Sequence, residues 1–198
     1  YTFKTYKTSQ ESKYAFGSNR MGTISESKYG DIWCPTYDGQ ACLFDVESEK
    51  FIDVLQPIEL STKQTNYVTR IYSLEKGIAW ILCENGYAFR VDEQLCKKGE
   101  GITLYAPSNH NLKGDQIFNV YQDSEEDEWI LTDKGVSIIG KKTLDTDFPF
   151  QFITQIKESI YLIAENDKLA RYDFHTKKLK FVDIPYPHDK INNVTTIG

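Results

Sequence analysis

Trp33-Cys34-Pro35-Thr36-Tyr37-Asp38-Gly39 is a short apolar run that ends in a turn-forming pair, and the chain writes it again three more times. The second copy is Trp80-Ile81-Leu82-Cys83-Glu84-Asn85-Gly86 and the third is Trp129-Ile130-Leu131-Thr132-Asp133-Lys134-Gly135. Tyr161-Leu162-Ile163-Ala164-Glu165-Asn166-Asp167 is the most diverged. In each copy six positions separate the leading aromatic from the second residue of the turn pair. Repetition at a fixed internal offset marks an array of one supersecondary unit, here strand, tight turn, strand.

The turns set an expected register. Asp38-Gly39 and Asn85-Gly86 are preferred in two-residue hairpin loops, where both positions take positive φ. Lys134-Gly135 supplies one such residue, and Asn166-Asp167 supplies two side chains that tolerate the left-handed region. With two-residue loops, Trp33 lies opposite Phe44, Trp80 opposite Val91, Trp129 opposite Gly140 and Tyr161 opposite Tyr172. The runs are apolar at successive positions, as in Ile32-Trp33-Cys34, so these strands are expected to be covered on both faces.

Flanking strands complete each unit. Upstream stand 22–27, 68–73, 117–122 and 152–156. Downstream, Lys50-Phe51-Ile52-Asp53-Val54 matches Lys180-Phe181-Val182-Asp183-Ile184, and Ile102-Thr103-Leu104-Tyr105 holds the same place in the second unit. Four strands in roughly 40 to 50 residues is the size of a propeller blade. The expected fold class is all-β: a partial β-propeller of about four four-stranded antiparallel blades, cut from a larger ring. The boundaries are blades at 16–62, 63–108, 109–150 and 151–188. Residues 1–15 (Thr2-Phe3-Lys4-Thr5-Tyr6) are read as the outer strand of a preceding blade, and 189–198 (191–197) as the inner strand of a following one. An open segment would expose blade faces, so association through them is expected.

Composition bounds the function. The chain has 198 residues, 40% hydrophobic and 14% aromatic, enough for a packed core. A net charge of −6 argues against nucleic acid or an anionic membrane as partner. No apolar run is long enough to span a bilayer as a helix. In the two-residue register Cys34 and Cys42 point to opposite sheet faces and cannot bridge. Cys34 and Cys83 are expected as buried thiols, and Cys96 sits in a lysine-flanked loop that packing or plain exposure explains.

Candidate chemistry is sparse. His110, His175 and His188 fall in separate connections with no ligand spacing. The acidic run 123–128 lacks the glycine and spacing of a calcium loop. Asn193-Val194-Thr195 is a sequon that matters only in a eukaryotic secretory chain. No carboxylate pair stands out as acid and base, and neither a catalytic site nor a metal or cofactor is expected. If strands run from the axis outward, the turns between second and third strands gather at one end with the blade connections. Tyr37, Asp38, Glu84, Asn85, Asp133, Lys134, Asn166 and Asp167 are then the candidate ligand face, where tyrosine faces and polar groups suit an oligosaccharide.

Gly30-Asp31-Ile32-Trp33 resembles the aspartate box of sialidase-type propellers, a structural motif that takes an acidic residue where Lys28 stands. A strand ending near Glu26-Ser27, then Gly30-Asp31-Ile32-Trp33, a strand to Thr36, an Asp-Gly turn, Leu43-Phe44-Asp45 and Phe51 together resemble the regulator-propeller repeat. That repeat fills the periplasmic sensors of hybrid two-component systems in gut-dwelling Gram-negative bacteria. The match covers nearly the whole chain and is best in the first blade. The family usually carries a small residue or glycine after the Trp-Ile pair, where this chain has Cys34-Pro35 and Leu82-Cys83. The resemblance implies a periplasmic segment of a membrane-anchored parent with a histidine kinase and a response regulator, sensing oligosaccharides and controlling glycan-utilisation genes. Self-association and neighbouring domains of that parent are the other expected partners. A non-catalytic scaffold for protein interaction or dimerisation is the alternative, and a lyase or hydrolase stands behind both.

Overall fold

A computed structural model describes residues 2–7, 17–62, 65–105, 112, 114–141, 143–146, 149–164 and 168–183. It contains four four-stranded antiparallel sheets, each built from consecutive strands. The first holds β1 (Ser25–Glu26), β2 (Ile32–Pro35), β3 (Ala41–Asp45) and β4 (Lys50–Asp53). The second holds β5 (Val68–Leu74), β6 (Ile78–Cys83), β7 (Ala88–Asp92) and β8 (Ile102–Tyr105). The third holds β9 (Ile117–Gln122), β10 (Glu128–Thr132), β11 (Gly135–Ile138) and β12 (Thr143–Asp145), and the fourth β13 (Phe150–Ile156), β14 (Ser159–Ala164), β15 (Leu169–Asp173) and β16 (Lys178–Val182). Trp33, Trp80, Trp129 and Tyr161 all stand on the second strand of their sheet, as the repeat requires. The fold is a set of four propeller blades.

The register differs from the expected one. Trp33 pairs with Leu43, Trp80 with Arg90 and Tyr161 with Arg171, each one residue short of the two-residue count. Trp129 pairs with Ile138, not Gly140. The first turn explains the slip. Gly39 N–H donates to Thr36 C=O at 3.0 Å and Thr36 N–H to Gln40 C=O at 3.1 Å, which closes a three-residue loop, Tyr37 to Gly39. Gly39 is its last residue, at φ +93°. This is a type I turn followed by a left-handed residue, the other common home for Asp-Gly. The second turn repeats it, with Gly86 N–H to Cys83 C=O at 3.1 Å and Cys83 N–H to Tyr87 C=O at 2.9 Å. In the third blade the loop is Asp133-Lys134, because Gly135 already pairs with Thr132 as the first residue of β11.

The structure forms two compact units, Tyr1–Asn109 and His110–Gly198. In the first, Trp33, Ala41 and Leu43 pack with Ala79, Ile81, Cys83, Phe89 and Val91 of the second sheet, together with Val54, Leu55 and Val68. In the second, Trp129, Leu131, Val136 and Ile138 pack with Ile160, Leu162, Ala164, Ala170 and Tyr172. Trp33, Trp80 and Trp129 are at most 1% exposed. An indole buries 150–250 Å², which at about 25 cal/mol per Å² contributes about 4–6 kcal/mol each as an upper bound. Tyr161 is half-buried, and Ile160 and Leu162 carry the core of its strand.

Three expectations at the margins come out differently or lie beyond reach. Residues 2–7 form no strand, although Tyr6 packs edge-on against Phe44 and Phe51. The last outer strand is Lys178–Val182, two residues earlier than the Lys50–Val54 match suggests. Residues 191–197 lie outside the described residues. A seven-residue helix, Gln56–Thr62, follows β4; its Glu59 accepts the Asn66 N–H at 2.6 Å and steers the chain into the second blade.

Candidate functional site

In the first unit the expected face is assembled by the blade-to-blade connection. Val68 N–H donates to Gly39 C=O at 2.8 Å, and Glu84 N–H donates to Tyr67 C=O at 2.9 Å. The connection therefore runs between the two turn tips and brings Tyr37, Asp38, Glu84 and Asn85 to one end of the unit. Tyr37 is 58% exposed and Tyr67 45%. Tyr37 is nonetheless fixed. Its N–H donates to Arg20 C=O at 2.9 Å, its C=O accepts the Tyr67 hydroxyl at 2.7 Å, and the Arg20 guanidinium lies 4.2 Å from its ring centroid. Asn85 Nδ2 donates to Asn66 Oδ1 at 3.1 Å, and its own Oδ1 caps the turn by accepting Tyr87 N–H at 3.0 Å. Asp38 accepts the Thr36 hydroxyl. Asp38 and Asn85 thus hold their turns, and both residues are exposed.

Asp133 and Lys134 stand at the corresponding turn of the second unit, with a different emphasis. Asp133 Oδ1 accepts the N–H groups of Asp115 and Gln116 at 2.7 and 3.0 Å, and its own N–H donates to Gln116 C=O at 3.0 Å. Asp133 is an anchor for the incoming connection. Lys134 is exposed and pairs with Asp115. Asn166 and Asp167 lie outside the described residues.

Sequence reasoning missed a cleft in the second unit, at the opposite end of β10 and β11 from the Asp133-Lys134 turn. It encloses about 370 Å³ between Asp127, Trp129, Ile138, Lys141, Tyr172, Phe174 and Lys177. Trp129 and Tyr172 meet edge to face at 5.1 Å, as do Tyr172 and Phe174 at 6.2 Å. Lys141 pairs with Asp127 and Lys177 with Glu125 at 2.9 Å, which raises both lysines above the usual value. The cleft has an aromatic floor and an ion-paired rim. Its residues come from β10, β11 and β15 and from the loops at their ends, so no local pattern in the sequence announces it.

Buried carboxylates were equally unexpected. Glu93 is fully buried, and its Oε1 accepts Trp33 Nε1–H at 2.8 Å and the Ser73 hydroxyl at 2.6 Å, while Oε2 accepts Lys28 N–H at 3.0 Å. Asp123 serves Trp129 in the same way at 2.7 Å and also accepts the N–H groups of Glu125 and Asp127 at 2.9 Å. The acidic run 123–128 is thus partly a structural loop whose first carboxylate turns inward. Lys97 Nζ lies 2.6 Å from Asp31 Oδ2 and 2.7 Å from Asp45 Oδ1. The aspartate of the Gly30-Asp31-Ile32-Trp33 segment is accordingly a buried structural group, 3% exposed.

Cys96 lies in a 3₁₀ turn, Leu95–Lys98, in the connection after β7 and is buried, so packing and not exposure accounts for it. Burial pushes Cys83 and Cys96 up to about 12 and raises Cys34 and Cys42 as well, so each is held mainly as the protonated, slowly reacting thiol at neutral pH. Among the described residues no group of three or more His, Cys, Asp or Glu side chains is placed to hold a metal. His175 is exposed against Glu158 at 2.7 Å. No described helix is long and apolar enough to cross a membrane.

No protein-family model matches the chain, and no curated protein matches its sequence. Solved structures do match. The extracellular domain of the candidate hybrid two-component system BT3049 of B. thetaiotaomicron aligns with 97% of this chain at a TM-score of 0.64 and 17% identity. That of BT4673 from the same organism aligns with 89% at 0.59 and 17%. The chain spans 25% and 26% of those two proteins. The WD40 repeats of RRP9 align with 84% of this chain, and 52% of their own, at 0.56 and 10% identity. At such identities the likeness is one of fold, and that fold is the β-propeller.

Proposed function

We propose that this chain is a ligand-sensing propeller segment of the extracytoplasmic, periplasmic part of a hybrid two-component sensor histidine kinase. Its ligand is an oligosaccharide, and the parent controls genes for glycan use. The observation that carries this reading is Tyr37. A tyrosine more than half exposed would ordinarily be free to move, yet this one is held through its backbone and from the Arg20 side of its ring. An aromatic face immobilised before binding lowers the ordering cost of packing on a sugar ring. Asp38, Glu84 and Asn85, exposed at the same end of the first unit, supply hydroxyl-bonding groups. The likeness to extracellular domains of two-component systems supports the compartment and the sensing role. Binding would shift the signalling equilibrium by its differential affinity for the two states.

Calorimetry on the full-length sensor with defined dietary and host oligosaccharides tests this. Tyr37→Ala should weaken binding by about tenfold or more, the scale of a lost ring-stacking contact. Asp133→Asn, which keeps the anchor oxygen, should bind as the parent does. Unchanged affinity in Tyr37→Ala would overturn the placement.

A second reading, a non-catalytic scaffold that binds a neighbouring domain or a second copy, draws on one observation. The fourth blade leaves Phe152, Ile156, Phe181 and Val182 37–57% exposed. Concentration-dependent association abolished by Ile156→Lys would support it.

A further inference from the structure

The three-residue loop of the first hairpin changes the relation of two cysteines. Cys34 and Cys42 are directly opposite on β2 and β3, and directly opposite residues of antiparallel strands share a sheet face. Both thiols lie in one buried cluster with Met21, Ile32, Phe44 and Phe51. Thr36 N–H bonds Gln40 C=O on one strand pairing, and Val54 N–H bonds Ala41 C=O on the other. By alternation, the backbone of Cys42 turns toward Cys34, two residues on from the Thr36–Gln40 pair. Such hydrogen-bonded pairs hold their Cα atoms about 5.5 Å apart, the commonest span of a disulfide. Their Cβ atoms stand about 4.5–5.5 Å apart where a disulfide takes about 3.5–4.5 Å, so the strands must draw in by about 1 Å. The other cysteines offer no such match. Cys83 ends β6, whereas Cys96 follows Glu93, whose N–H bonds Gly77 at the far end of that strand, roughly 15 Å away.

We propose that Cys34 and Cys42 form a cross-strand disulfide on meeting a small disulfide oxidant, which makes the first hairpin a redox-sensitive element. Cys34, 8% exposed against 0% for Cys42, engages first. Its thiolate attacks the oxidant's S–S bond, forms a mixed disulfide and releases one small thiol. The Cys42 thiolate then attacks the Cys34 sulfur and expels the second. Two protein thiols each give up a proton and together two electrons, and the oxidant leaves as two thiols. The bond clamps the strand of Trp33 to the far side of the turn that carries Tyr37. Because the strands must draw in, it is more readily reduced than an unstrained structural disulfide.

The test is incubation of the native full chain with oxidised glutathione, then denaturation, blocking of free thiols and peptide mass spectrometry. Two of the four thiols should disappear. Trypsin leaves both cysteines on one peptide, Tyr29–Lys50, which should be lighter by two hydrogens. Chymotryptic cleavage after Tyr37 should give two halves that separate only on reduction. Cys34→Ser should abolish the bond and Cys83→Ser should leave it. Four blocked thiols, a glutathione adduct on Cys34 that never resolves, or a link to Cys83 or Cys96 would each overturn the proposal. The wild-type measurement decides the matter even where a serine variant folds poorly.

Discussion

The indole N–H of Trp33, on the second strand of the first blade, donates at 2.8 Å to the carboxylate of Glu93, which follows the third strand of the second. The same carboxylate takes a backbone N–H from Lys28 and the hydroxyl of Ser73. One buried anion therefore gathers donors from two neighbouring repeats.

Glu93→Ala leaves those three donors without an acceptor in a dry site and should cost about 3–5 kcal/mol of unfolding free energy. Glu93→Gln keeps an oxygen for Trp33 and Ser73 but turns an amide toward Lys28 N–H, for about 1–2 kcal/mol. Urea titration followed by tryptophan fluorescence measures both. Equal midpoints for wild type and Glu93→Ala would contradict the shared-acceptor account.

Asp53 gives the first unit a pH dependence. Burial, with Glu59 nearby, raises its carboxyl from the usual 3.8 to about 6. The folded state thus holds this proton more tightly than the unfolded one. Stability from this group is greatest below about pH 4 and falls as pH rises to about 6, by about 3 kcal/mol at most. Asp53→Asn should flatten that slope, as denaturant midpoints on either side of the window will show.

Lys97 sits between Asp31 and Asp45 at 2.6 and 2.7 Å. Lys97→Met strands the buried Asp31 carboxylate and should cost about 2–3 kcal/mol at neutral pH. Lys97, with Ser48, holds the Asp45 carboxyl down to about 2. The stability that Asp45 contributes is fully present above about pH 4 and is lost as pH falls through 2. The gap between wild type and variant should accordingly narrow in acid.

Gly39→Ala puts a side chain at φ +93° and a Cβ 2.6 Å from the ring of Tyr67. Both effects act against the turn, and a loss of about 2–3 kcal/mol is expected, read as a lower melting temperature. A neutral outcome would mean that Tyr67 swings away from the turn.

The blades were legible because Trp33, Trp80 and Trp129 keep one distance from their turns and because β-branched and aromatic residues fill the strands between. The register was not. Asp38-Gly39 satisfies either a two-residue loop or the end of a three-residue one, and the glycine needs positive φ in both. Only the hydrogen bonds that flank it, Thr36 to Gln40, distinguish the two. The end of the unit that carries Tyr37 and Asn85 followed from topology alone. The anchoring role of Asp133 and the cleft floored by Trp129 and Tyr172 did not, because each depends on groups brought together from segments far apart in the sequence.

Each sheet ends on an outer strand whose far edge meets no other strand among the described residues. Unpaired edges invite strand addition, and charges set along them discourage it. β4 carries Lys50 and Asp53, and β16 carries Lys178 and Lys180. β8 reads Ile102-Thr103-Leu104-Tyr105, with no charge at all. When the protein aggregates, this is the edge along which foreign strands will lengthen the sheet first, and a single lysine at Thr103 is the substitution that guards it.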